Sequence, residues 1–196
     1  MNLSSLTAAA VAAAILATSV LAFSRLPDLF VWAAFIGWAR YDHSGANRRA
    51  ALQSSAALVF GVVMAWAVAI VVVAGTLPLS APAATAISAG TASFLIVVVS
   101  RVPLLSVVPA TFYGFASTFA YLSLAPGAFA LSEMTSFGWK NAIVAVPISL
   151  LIGTALGIAH GWLAKALATD GIAPRRALRL DGAPLLRGER RKAQSP

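Results

Sequence analysis

The sequence predicts an all-α, polytopic membrane protein whose six transmembrane helices form two inverted three-helix repeats. Three observations carry that expectation. The 196 residues are 60% hydrophobic and 10% charged, with a mean hydropathy of +0.86, whereas a soluble domain carries about 25% charged residues. The few charges are bunched, leaving apolar windows long enough to cross a bilayer. Finally, Ser24-Arg25-Leu26-Pro27 returns as Ser100-Arg101-Val102-Pro103. Each copy is followed by an aromatic-glycine signature, Ala34-Phe35-Ile36-Gly37-Trp38-Ala39 and then Thr111-Phe112-Tyr113-Gly114-Phe115-Ala116.

The membrane domain is read as residues 1–168, with one repeat over about 6–75 and the second over about 83–167. The first helix, 6–23, is apolar and has no Lys or Arg before it, so it reads as a retained span and not as a cleaved signal. The second, 29–41, is shorter than the roughly 20 residues a spanning helix needs. It either spans or is re-entrant between its neighbours. The third, 50–74, and fourth, 83–99, are long apolar runs. The fifth, 107–124, follows a stretch from Arg101 to Pro109 that Pro103 and Pro109 bias away from helix. The sixth is 141–167, and its Leu150-Leu151-Ile152-Gly153 echoes Leu58-Val59-Phe60-Gly61 of the third. Each continues with a small residue four positions on, Ala65 and Gly157, the pattern that lets helix backbones approach closely in lipid.

Charge sets the expected orientation. With both termini cytoplasmic, six spans place Arg40, Arg48, Arg49, Arg101, Lys165 and the seven basic residues after Pro174 inside, leaving only Arg25 and Lys140 outside. The segment 169–196 reads as a basic, disordered cytoplasmic tail able to meet anionic lipids. The formal charge of +8 is concentrated there without base-stacking aromatics, which argues against nucleic acid as a partner. The bilayer is the expected partner, in a bacterial inner membrane, with homo-oligomerisation through small-residue faces.

The chemistry-bearing residues exclude more than they assign. There is no cysteine, and no Asp or Glu falls inside an expected span. Without intramembrane carboxylates, proton-coupled pumping lacks its usual relay. His160 reads as an interfacial histidine, and His43 beside Asp42 as a loop pair. No phosphate loop, metal-ligand cluster or nucleophile-base set is present, so no catalytic residue, metal or cofactor is expected.

Two internal repeats in a membrane protein commonly enclose a transport site. The expected function is therefore a passive channel or transporter for a small uncharged or amphipathic solute, with its pathway between the second and fifth helices. In that reading Phe35, Trp38, Phe112 and Phe115 form a constriction, and Gly37 and Gly114 permit close approach. Ser106, Thr111 and Ser117 offer hydroxyls to the solute, and Pro109 opens the fifth helix. The competing reading is a non-transporting scaffold or subunit that uses its small-residue faces for assembly.

The segments Phe30-Val31-Trp32-Ala33-Ala34-Phe35-Ile36-Gly37-Trp38-Ala39 and Pro103-Leu104-Leu105-Ser106-Val107-Val108-Pro109, with Phe112 and Gly114-Phe115 beyond, resemble a known group. It is the family of uncharacterised bacterial inner-membrane proteins typified by YcdZ, and the resemblance covers about residues 6–167. It implies a multi-pass membrane protein and brings no substrate. Where that family carries a proline after the first tryptophan, Ala33 stands here. Residues 103–109 with Phe112 are also similar in outline, though not in spacing, to the Leu-Pro-x-x-Thr-x-Pro-Phe pore signature of bacterial urea channels. That likeness implies a small neutral solute.

Overall fold

The computed structural model describes residues 3–22 and 29–168. The first copy of the Ser-Arg-x-Pro repeat and the basic tail lie outside them. The described residues fold into helices α1 (Ser5–Ala22), α2 (Val31–His43), α3 (Arg48–Val73), α4 (Ala81–Val99), α5 (Val108–Leu124), α6 (Leu131–Met134) and α7 (Ala142–Leu167), with a 3-10 turn at Pro103–Leu105 before α5.

Four of these, α1, α3, α4 and α7, are long and apolar enough to cross a membrane. The 17 residues of α5 and the 13 of α2 fall short of that length, where six full spans were expected. At 1.5 Å per residue, α2 is roughly 20 Å long against a hydrocarbon core of about 30 Å.

Helix boundaries follow local chemistry. Asn47 caps α3 by accepting the Ala50 N–H at 2.9 Å, and Asn141 caps α7 by accepting the Ile143 N–H at 3.1 Å. Pro109 sits in the first turn of α5, where its missing N–H leaves no helix bond unmade. The α2–α3 turn passes through Gly45 and Ala46, both with positive φ, and so folds Arg49 back beside Arg40.

Small residues decide which helices meet. The most extensive contacts are α2 with α7 and α3 with α5, followed by α1 with α7 and α3 with α4. At the α2–α7 crossing a Cβ on Gly37 would collide with the Leu150 carbonyl, and one on Gly153 with the Ala34 carbonyl. At the α3–α5 crossing Gly114 meets the Leu58 carbonyl and Gly61 the Thr111 carbonyl in the same way. Backbone lies directly on backbone at all four places. The core around them contains Ala33, Leu58, Val62, Ala110, Val146 and Leu150.

The connection between α5 and α7 is anchored inside the bundle. Met134, at the end of α6, is fully buried. Its carbonyl accepts both the Trp66 indole N–H at 3.1 Å and the Asn141 side-chain N–H at 2.8 Å. Both ends of the membrane domain share one side. Leu3 pairs with Ala168 in an isolated bridge, and His160 reaches the Ala9 carbonyl at 3.1 Å. The start of α3 is tied to the 3-10 turn there by the Gln53 amide, which donates to the Pro103 carbonyl at 3.1 Å.

Candidate functional site

Helices α2 and α5 run antiparallel, and each end of the pair opens into a cavity. At one end lies a cavity of about 240 Å³ lined by Arg40 and Ser44 from α2 and its turn, Asn47, Arg49 and Gln53 around the start of α3, and Val107 before α5. At the other, about 380 Å³ is bordered by Phe30 and Trp32 at the start of α2 and by Tyr121 and Leu124 at the end of α5. The first is polar and basic; the second is aromatic and apolar. In the second, Phe30 packs edge-on against Tyr121 at 5.5 Å, and the Phe30 N–H donates to Ser149 Oγ at 3.0 Å.

Arg40 is the residue whose surroundings the sequence did not reveal: it lies within α2, which continues to His43, and is only 7% exposed. Its Nε has no hydrogen-bond partner, and no carboxylate of a described residue pairs with its guanidinium. The other buried side-chain atom without a partner among the described residues is Ser117 Oγ on α5. In the register that aligns Gly37 with Gly114, Arg40 aligns with Ser117. The two orphaned polar groups therefore occupy corresponding positions on α2 and α5.

The other expected pathway residues are dispersed. Gly37 and Gly114 stand at the helix crossings, where the space they leave is filled by another backbone. Phe35 stacks on Trp38 at 6.2 Å, and Trp38 turns towards α7, with its ring 5.3 Å from that of His160. Phe112 is half-buried, and Phe115 packs against Phe119 at 5.2 Å. Thr111 is buried with its carbonyl against Gly61. Ser106 is exposed and donates to the Pro103 carbonyl at 2.9 Å, and Pro109 is exposed.

A second polar cluster joins α2 to α7. Asp42 Oδ2 accepts the Trp38 indole N–H at 3.0 Å and lies 3.6 Å from His160 Nδ1. Asp42 is thus a helix residue paired across the bundle, not part of a loop pair with His43. The Trp38 and Asp42 spacing of four was the available signal for it.

The fold and its apolar surface define an all-α protein of the membrane type. Residues 8–165 match the family described as protein of unknown function (DUF1097), and the chain belongs to that family. No curated protein and no solved structure matches the chain.

Proposed function

We propose that the protein is a small bacterial inner-membrane channel or transporter in which two inverted three-helix units enclose a passage along the α2–α5 pair. The reciprocal glycine crossings support the two-unit reading. Gly37 on Leu150 corresponds to Gly114 on Leu58, and Gly153 on Ala34 corresponds to Gly61 on Thr111. An axis exchanging α2 with α5 and α3 with α7 accounts for both pairs, and also for α1 on α7 beside α4 on α3.

The observation that carries transport is the pair of cavities at opposite ends of α2 and α5. They are related by the same exchange; Arg40 in the wall of the first and Ser117 within α5 carry unused polar atoms. Buried polar groups normally find partners, and those that do not commonly await water or a ligand. Movement is passive in this reading, since no carboxylate lines either cavity. The unpaired cation widens the expected uncharged class to include small anions and disfavours cations. The small-residue faces that suggested a scaffold are used within the chain, between its own helices.

The test is flux in proteoliposomes across a panel of small uncharged and anionic solutes. Flux above empty liposomes for at least one solute supports the passage. Silence across the panel, with the protein folded and correctly inserted, removes it.

A further inference from the structure

We propose that the cavity at the Arg40 end is a binding site for a phosphate group. The site stands whether or not a solute crosses the α2–α5 pair. Its centre is Arg40, a residue only 7% exposed whose Nε is buried and unpartnered, with no carboxylate of a described residue beside it. Arginine does not escape burial by losing its proton. A cation held at a cavity wall without a counter-charge favours an anion as the group that fills it.

The surrounding donors suit an oxyanion. Arg49 adds a second guanidinium to the same wall, with the side chains of Asn47 and Gln53 beside it, and no acidic side chain lines the cavity. The 26-residue helix α3 begins here. The Asn47 side chain takes the Ala50 N–H, so the main-chain N–H groups of Arg48 and Arg49 remain at the positive end of the helix. Two guanidinium groups and a helix start supply more donors than the two oxygens of a carboxylate accept, whereas phosphate presents oxygens in several directions. At roughly 30 Å³ per water, a volume of about 240 Å³ admits such a group with a few waters.

The phosphate could belong to a free ion or to the headgroup of an anionic lipid, and the experiment separates the two. Full-length protein, purified in a zwitterionic detergent without phosphate, is titrated with inorganic phosphate against sodium chloride of matched ionic strength. In parallel it is transferred to nanodiscs of phosphatidylcholine with or without phosphatidylglycerol. The melting temperature is read in both arms, and calorimetry gives the affinity. Stabilisation by inorganic phosphate assigns a free ion; stabilisation by phosphatidylglycerol alone assigns a headgroup. In either case Arg40→Gln should abolish the shift while the protein stays folded, because the change removes a buried charge with no protein partner. Arg49→Gln, at an exposed position, should weaken binding by about tenfold and carries the test if Arg40→Gln fails to fold. A melting temperature unmoved by both phosphate and phosphatidylglycerol, or an unchanged affinity in the variants, overturns the assignment.

Discussion

Gly61 on α3 lies so close to the main-chain carbonyl of Thr111 on α5 that no Cβ fits between them. Because the obstacle is backbone, a rotamer change cannot relieve it. Alanine at Gly61, Gly114, Gly37 or Gly153 should each cost at least about 1–3 kcal/mol, the usual range for overpacking. Gly90 and Gly161, whose Cβ positions are open, lie within α4 and α7. Alanine there should be neutral or stabilising by up to about 1 kcal/mol. Thermal unfolding in detergent distinguishes the two sets.

Asn141 does three things at once. It caps α7, and its amide N–H groups bind the carbonyls of Met134 and Ser136 at 2.8 and 2.6 Å. Asn141→Ala leaves the buried Met134 carbonyl with only the Trp66 indole and should destabilise by about 1–3 kcal/mol. Loosening should be confined to the α5–α7 connection, which hydrogen exchange over residues 125–141 reads directly. Uniform exchange across the bundle would argue against a local anchor.

Trp38→Phe retains the packing against Phe35 and His160 but removes the N–H that Asp42 accepts. The loss should be about 1–2 kcal/mol, since the acceptor is charged but partly exposed. In an Asp42→Asn background the same substitution should cost less, and the double-mutant cycle measures the difference.

The pairing of Leu3 with Ala168 brings both ends of the membrane domain together. Arg40, Arg49 and the Pro103 turn lie at the same end of α3, and Lys165 ends α7 beside them. By the positive-inside rule that end should face the cytoplasm. Reporter fusions at Met1 and after Leu167 should both read as cytoplasmic. An external reading for either one contradicts an even number of crossings.

Much of this architecture was legible because its signals are local. Apolar windows bounded by proline, glycine and charge located α1 to α5 and α7 to within a few residues. The Gly-x-x-x-small pattern around Gly61 and Gly153 marked faces that do press against other helices. What escaped is long-range. Burial of Met134 depends on Trp66 and Asn141, remote in sequence, and four residues of α6 carry no periodicity of their own. Asp42 looked like a loop charge because α2 runs two residues past its expected end, and the burial of Arg40 within that helix depends on its remote neighbours. Ser117 was singled out for its hydroxyl, but only the structure shows that hydroxyl to be buried and unpartnered.

Passage of solute between α2 and α5, as proposed, is directly testable because the chain has no native cysteine. Val107 borders the Arg40 cavity and Leu124 the Trp32 cavity. Neither side chain makes a polar bond that substitution would remove. In proteoliposomes carrying a solute that the wild type passes, Val107→Cys and Leu124→Cys should each conduct until treated with a bulky maleimide and then lose most of the flux. Leu79→Cys, in the exposed connection between α3 and α4, should react and keep conducting. Undiminished flux through fully labelled Val107→Cys and Leu124→Cys would contradict a passage along this helix pair.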